Sequence, residues 1–325
     1  MKANNRDKYR AFCDAEKGIP VFSRPWWLDA VCGPNAWDVA LVKSGGRVAA
    51  SMPYVIRKTK GLKQISMPRL TQALGPYLTP SNAKYAKQLA REKDLMEELI
   101  AQLPAFDRFA QNFHYRITNW LPFYWQGFFQ TTRYTYVIED LSDLDVLWRN
   151  FQENIRRECR KANKMVQVQS TPDPSEFYRV NALTFHHQGR KIPYSYDYFS
   201  RLDTACAEQK ARRMFFAKDK DQRIHAAVYI VWDENSAYYL MGGADPELRN
   251  SGANSLLMWE AIKFAASVTR KFDFEGSMIE SVERFFRAFG ARQTPYFHVT
   301  KAGPRMKILQ AGWDLAKAVS GLVRK

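Results

Sequence analysis

YYLMGGADPELRNSGANSLLMW, residues 238–259, is the stretch on which the fold turns. An apolar strand ends in Gly242-Gly243. A polar loop follows, and apolar residues return at helical spacing from Ser255 onward. Strand, loop and helix in that order bring loop N–H groups and a helix N-terminus together, which makes a ready anion site. Arg249, Asn250, Ser251, Gly252, Ala253, Asn254 and Ser255 form the loop and helix start. Small residues there let a pyrophosphate approach the backbone, and Arg249 adds charge. The plainer reading is a glycine-rich turn capped by Asn254 or Ser255.

Residues 214–231 read MFFAKDKDQRIHAAVYIV and residues 39–56 read VALVKSGGRVAASMPYVI. Each is an apolar strand, a polar turn and a second strand that opens on a small pair, Ala226-Ala227 or Ala49-Ala50. Each is followed by further strand-like sequence and a long helix. The first helix is predicted near 83–103, with Leu89, Leu95, Met96, Leu99, Ile100 and Leu103 inward. The second is predicted near 254–270, with Leu256, Leu257, Ala261, Phe264, Ala265 and Val268 inward. A repeated hairpin-and-helix unit predicts a duplicated α/β domain. The aromatic-rich join at 112–135 reads as a seam between the halves or the wall of a cleft. A strand at 133–139 then leads to a helix capped by Ser142. Its apolar stripe runs from Leu144 to Ala162, and Arg156, Arg157, Arg160, Lys161 and Lys164 lie opposite. Those charges favour the helix macrodipole, or they grip a phosphate.

The chain has 325 residues, of which 46% are hydrophobic and 25% charged, with 49 Lys and Arg against 33 Asp and Glu. That length suits two packed domains. The net charge of +16 attracts anions: nucleic acid, anionic membrane, nucleotide-linked substrates or a phosphorylated cofactor. Four widely spaced cysteines read as reduced thiols. The charged N-terminus lacks the apolar core of a signal peptide, and no apolar run has membrane-spanning length. These features predict a soluble, cytoplasmic protein. The histidines show no ligand spacing, so no metal is expected, and there is no serine-hydrolase elbow. Asp273 and Glu275, two apart on a predicted strand, share a face. One of them can take a proton from an ammonium nucleophile, or both pair with Arg284 or Arg287. Tyr238 and Tyr239 alternate faces, so one of them, assigned as Tyr239, can protonate a departing thiolate. The C-terminal segment 304–325 is amphipathic and basic. It reads as a helix that packs on its own protein or rests on an anionic membrane surface.

Arg249-x-x-Gly252-x-Asn254 resembles the R/Q-x-x-G-x-G/A signature with which GNAT acyltransferases hold the CoA pyrophosphate, Asn254 standing where Gly or Ala is usual. Four further pieces resemble the Fem-type branch of that superfamily, the peptidoglycan aminoacyltransferases and their acyl-CoA-using relatives, which include sugar N-acyltransferases. They are Tyr134-Thr-Tyr-Val-Ile138, Asn154-Ile-Arg-Arg-Glu-Cys-Arg-Lys161, Phe272-Asp-Phe-Glu-Gly276 and Phe286-Arg-Ala-Phe-Gly290. The resemblance implies an α/β fold of two tandem GNAT-like lobes, with mixed, mainly antiparallel sheets, flanking helices and a cleft between the lobes. The implied domains are 1–130, 131–303 with the donor loop, and the tail 304–325 returning to the first lobe. It also implies roles for Phe286-Arg287, which stand at the family's Phe-Lys pair. Arginine there can stabilise an oxyanion or hold a phosphate but cannot act as a base. The loop Gln188-Gly-Arg-Lys-Ile-Pro-Tyr194 resembles a family loop near the acceptor, which assigns Gln188, Lys191 and Tyr194 there, with Arg156 and Arg157 as phosphate grips.

The expected reaction is direct transfer of an acyl group from acyl-CoA to the amine of a nucleotide-linked amino sugar. Backbone N–H groups near Gly242-Gly243, or Arg287, steady the oxyanion. The alternatives are transfer from aminoacyl-tRNA to a cell-wall precursor, and a non-enzymatic basic protein that binds nucleic acid. On this reading Gly252→Trp abolishes donor binding and leaves the fold intact.

Overall fold

Both hairpins form, and the turn of the first shows why. Ser44 pairs with Arg47, so Gly45-Gly46 alone makes the turn, at φ of 58° and 80°. Two-residue turns with positive φ match the twist of the strands they join. The computed structural model describes residues 4–306, apart from Gln188 and Ser277. The tail from 307 onward and Gln188, for which a role was expected, lie outside the described residues. The chain forms two compact units. Unit 1 comprises Met1–Ala15, Cys32–Arg133 and the chain from Tyr296; unit 2 comprises Glu16–Val31 and Tyr134–Pro295.

Unit 1 begins with α1 (Asn5–Ala15), whereas α2 (Pro25–Cys32) falls almost wholly in unit 2. The first hairpin is β1 (Asp38–Ser44) and β2 (Arg47–Tyr54). A second, β3 (Ile56–Thr59) and β4 (Leu62–Ile65), turns on Lys60-Gly61. β5 (Tyr77–Leu78) adds to β2 through Ala50↔Leu78, and α3 (Tyr85–Ala101) follows. β6 (Arg108–Asn112) then runs parallel to β4, and α4 (Leu121–Trp125) closes the segment. The helix α3 buries Leu95, Met96 and Leu99 against Ala40, Ala50, Met52 and Ile65. The aromatic join, almost wholly within unit 1, divides between core and surface. Phe113, Phe123 and Phe128 enter the core of unit 1, with ring centroids 4.9 to 5.2 Å apart, while Tyr124, Trp125 and Phe129 are exposed.

Unit 2 starts within β7 (Phe129–Ile138) and continues through α5 (Leu144–Asn150), α6 (Glu153–Ala162), β8 (Gln167–Gln169), α7 (Pro174–His187) and α8 (Tyr196–Glu208). The strands β9 (Arg212–Lys218), β10 (Ile224–Trp232) and β11 (Ala237–Ala244) form a meander. After them come α9 (Ala253–Ala265), β12 (Phe272–Asp273) and α10 (Glu280–Arg287). The strand order is β7-β12-β11-β10-β9-β8, antiparallel except for β11 with β12. β13 (Arg292–Ala302) returns the chain to unit 1, where it pairs with β6 through His298↔Asn112. The single helix expected after Ser142 is two helices. Asp143 is the cap, accepting from Val146 N at 2.8 Å, and Phe151 and Gln152 are extended between α5 and α6.

β10 is buried along eight of its nine residues, because helices cover both faces. One face holds Ile155 and Cys159 of α6, Leu256, Leu257 and Ala261 of α9, and Phe286 of α10. On the other face Phe177 and Phe199 of α7 and α8 pack on Tyr229. A strand covered on both sides reads as a continuous apolar run, as IHAAVYIVW does apart from its histidine. With the inserted hairpin β3-β4 set aside, the same order recurs in the two units: β1-β2-β5-α3-β6 and β9-β10-β11-α9-β12. Even the pairing repeats, with Ala226↔Ala244 matching Ala50↔Leu78. Among the described residues no helix is long and apolar enough to cross a membrane.

Candidate active site

β11 and β12 pair through Ala237↔Phe272 and Tyr238↔Asp273, then separate. β12 ends because Glu275 and Gly276 both adopt positive φ, 61° and 62°, and the chain turns away. The continuous strand expected over Phe272–Gly276 is therefore two residues long, and the shared-face argument for Asp273 and Glu275 does not apply. β11 runs on to Ala244 against β10. There Tyr239 faces Ile230 and Met241 faces Tyr229, which leaves Leu240 bulged. Beyond the split, backbone groups of β11 are met by α7. Asn181 Nδ2 donates to the Gly242 carbonyl at 2.6 Å, and Ala244 N–H donates to Thr184 Oγ1 at 3.2 Å. A Cβ on Gly243 would lie 2.5 Å from the Val180 carbonyl, so only glycine lets α7 come this close.

Two carboxylates stand at the split. Asp273 is 4% exposed, and its Oδ1 accepts from the Thr135 hydroxyl and from Glu275 N–H, the latter at 2.8 Å. Burial pushes the Asp273 carboxyl up from 3.8 to about 6, against the lowering effect of those two hydrogen bonds. Glu275 is half-buried; desolvation, then the Asp273 and Asp233 charges, push its carboxyl well above the ordinary range. Neither meets the arginines considered as partners: Arg284 pairs with Glu280 and Arg287 with Glu283, each at 2.9 Å.

For Asp273 the sign is the reverse of the usual carboxylate. Between 3.8 and about 6 the folded chain holds more protons than the unfolded one, so its contribution falls as pH rises through that window. At about 1.4 kcal/mol per pH unit, the loss above pH 6 is about 3 kcal/mol. Asp273→Asn keeps both hydrogen bonds and removes the titration. Urea unfolding should show the variant gaining on the parent by up to about 3 kcal/mol between pH 4 and pH 7.5. An equal difference at both pH values would show that the Asp273 carboxyl is not raised.

Tyr239, Phe286 and Arg287 lie on the α9–α10 face. The Tyr239 ring packs on buried Phe286 at 5.8 Å, and Phe286 on Phe274 at 5.2 Å. Burial pushes the Tyr239 hydroxyl up to about 12, which keeps it protonated. A Cβ on Gly242 would collide with that hydroxyl. Phe286 is a packing residue in this arrangement. Arg287 Nε donates to Glu283, which also accepts from Tyr136 Oη at 2.6 Å; Gln293 donates to that same hydroxyl at 2.7 Å.

The expected donor loop has the strand, turn and helix of its sequence reading but is covered by α6. Arg249–Ser251 forms one 3-10 turn, Gly252 takes φ 79°, and α9 follows. Ser251, Gly252, Ala253 and Ser255 are buried, and Arg249, Asn250 and Asn254 are exposed. α6 lies on the loop, with Lys161 Nζ donating to the Asn250 carbonyl. A Cβ on Gly252 would sit 2.5 Å from the Glu158 carbonyl and 2.9 Å from its carboxylate. Gly252→Trp therefore cannot leave the fold intact, because backbone already occupies the space a side chain needs. No local sequence signal placed Glu158 there.

Arg156 donates to Glu153 and to the Arg149 carbonyl, and Arg160 also meets Glu153, so two of the helix cations share one carboxylate. Arg157 is largely exposed, 3.9 Å from Glu158. Lys191 is exposed. Tyr194, assigned near the acceptor, is buried, and its hydroxyl donates to Asn181 Oδ1 at 2.6 Å. Sequence reasoning missed Asn181, although its place on the inward stripe with Phe177, Val180 and Thr184 marks a polar residue aimed at the sheet. Among the described residues no His, Cys, Asp and Glu cluster is placed to hold a metal.

Residues 149–287 match the acetyltransferase (GNAT) domain family. No curated protein sequence matches the chain. Solved structures do. FemX superposes with a TM-score of 0.65 at 14% identity, covering 91% of this chain and 96% of its own. The C-terminal domain of a putative lysylphosphatidylglycerol synthetase from Agrobacterium fabrum gives 0.57 at 13%, covering 95% and 96%. A tandem GNAT protein from the clavulanic acid biosynthesis pathway gives 0.50 at 13%, covering 92% and 95%. At such identities these likenesses establish the fold, mixed α/β and tandem GNAT-like. The matched domain makes the chain an acyltransferase.

Proposed function

We propose that the chain moves an acyl group onto an amine by direct attack where β11 and β12 separate, with Glu275 as the base. The observation that carries this reading is the pair at the split. Asp273 holds the Glu275 N–H at 2.8 Å, so the turn that presents Glu275 is fixed by hydrogen bonding and a positive φ. Backbone held in a sparsely populated region at a cleft is a recurrent mark of a working site. Among the described residues no side chain donates to the Glu275 carboxylate, which leaves it able to accept a proton. An amine attacks only when neutral, and a carboxylate with raised proton affinity is the better acceptor for its proton. Gly242 N–H and Arg287 are the candidate oxyanion donors, each worth about 3 kcal/mol of barrier. Tyr239, which burial keeps protonated, is the candidate proton donor to the leaving group.

The acceptor is proposed as an anionic, nucleotide-linked amine such as an amino sugar. The net charge of +16 and the exposed Arg157, Lys191 and Arg249 support that class. Acyl-CoA is the donor expected of a GNAT domain. One observation favours a second reading, transfer from aminoacyl-tRNA. The Glu158 carbonyl and carboxylate stand against Gly252, where a CoA pyrophosphate would otherwise approach the backbone.

The test is a paired assay. Thiol release is followed with several acyl-CoAs and amino-sugar nucleotides, and label transfer is followed from charged tRNA. Thiol release that needs the amine supports the first carrier. Transfer from tRNA alone overturns it in favour of the second, and transfer from neither removes the acyl-transfer assignment at this split.

A further inference from the structure

We propose that unit 1 carries its own anion-binding pocket, at the position that in unit 2 is filled by α6, and that it takes the phosphate or diphosphate group of a small molecule. This rests on unit 1 alone and does not depend on the acyl-transfer reading.

The duplication locates it. β2 pairs with β5 through Ala50↔Leu78 as β10 pairs with β11 through Ala226↔Ala244, and a helix follows each strand. The chain from Tyr77 to Lys84 is thus the counterpart of the chain from β11 to Gly252. In unit 2 that place is packed shut against Glu158. In unit 1 it opens into a cavity of about 350 Å³, bordered by Thr79, Ser81, Arg91, Glu92, Arg116 and Asn119. That size lies at the lower end of small-ligand pockets.

Its charge is built in. Arg91 Nη1 donates to the Thr79 carbonyl at 2.9 Å and Nη2 to Thr79 Oγ1 at 2.7 Å. Thr79 is in turn anchored, N–H and hydroxyl both donating to the Ala49 carbonyl at 3.0 and 3.1 Å. The guanidinium is therefore held in place by neutral partners, and among the described residues Arg91 forms no ion pair. A fixed guanidinium with donors to spare suits phosphate oxygens in the way a mobile lysine does not. Arg116 is a second, exposed guanidinium at the border, while Ser81 and Asn119 offer neutral groups. The one carboxylate of the border, Glu92, accepts from the Gln88 amide at 3.0 Å. Two guanidinium groups thus border the same cavity as one carboxylate. The carboxylate suits a hydroxyl or amine on the same ligand.

The probe is inorganic pyrophosphate, titrated calorimetrically into the full chain at low ionic strength. Arg116→Gln leaves the Arg91–Thr79 bracket intact and should weaken binding about fivefold; Arg91→Gln with Arg116→Gln should weaken it at least tenfold. Circular dichroism melts establish that both variants are folded. Arg201→Gln, on a surface of unit 2, should bind as the parent does. Competition with coenzyme A and with a nucleoside diphosphate sugar then tells which source of diphosphate the pocket prefers. Either competitor displacing pyrophosphate supports the proposal. Unchanged affinity in the folded Arg116→Gln protein, or no pyrophosphate binding by the parent at millimolar concentration, overturns it. Glu275→Gln protein should bind pyrophosphate normally, so loss of catalysis and loss of this pocket are separable.

Discussion

Glu275→Gln is expected to lower kcat by about 10²- to 10⁴-fold, the range spanned by a lost general base, without loss of fold. The side chain volume is nearly conserved, and the N–H that Asp273 accepts belongs to the backbone, so the turn survives. The substitution also removes a charge that burial and two neighbouring carboxylates oppose. Stability should therefore hold or rise, the usual relation when a strained, charged group is replaced at a working site. The pH profile gives the sharper readout. A base must be ionised to act, so the parent rate should climb with pH through a transition above the ordinary carboxylate range. In the glutamine variant that limb should vanish. If the variant keeps both the limb and the rate, the proton goes elsewhere and Glu275 is only a turn residue.

Gly276→Ala should have the largest effect on stability. Gly276 has φ 62°, and an added Cβ would collide with the Tyr134 carbonyl and lie 2.6 Å from Thr135 Cα. Both are backbone atoms of β7, which cannot step aside as a side chain can. The left-handed conformation costs a non-glycine residue about 1–2 kcal/mol, and forced overpacking adds about 1–3 kcal/mol. A loss of about 2–5 kcal/mol is expected in denaturant unfolding. Whatever folds should also be slow, because the same displacement moves Glu275 and Thr135, which meet at Asp273. A midpoint within experimental error of the parent would mean that β7 yields, and that the turn is softer than its contacts indicate.

The two cases differ in how far they can be read from one dimension. The string FDFEG announces an acidic pair next to a glycine, and its alternation announces a strand. The strand is cut to two residues only because Gly276 meets β7, which lies more than 130 residues earlier in the sequence, and because Asp273 draws the Glu275 N–H toward itself. Tyr194 shows the same limit. Its loop looks polar, yet the hydroxyl finds Asn181 on α7 and the ring goes inside. In the aromatic join, composition signals burial but not where. Phe113, Phe123 and Phe128 go into the core with α3 and β6, while Tyr124, Trp125 and Phe129 stay exposed.

The donor loop that opened the sequence reading divides along that line. Its strand, turn and helix follow from local rules: apolar alternation up to Gly242-Gly243, small residues and a left-handed glycine at 252, then helical periodicity from Ala253. The repeat of the hairpin and helix was likewise legible, because periodicity and turn chemistry act over a few neighbouring residues. What the sequence alone could not decide is whether the loop is open. That depends on α6, about ninety residues away in the chain, which lays the Glu158 backbone and carboxylate on Gly252 and a lysine on Asn250. Burial and electrostatics of this kind are sums over contacts distant in sequence. Only the folded chain settles which of two loops built on one plan, after β5 and after β11, is packed shut and which retains a charged cavity.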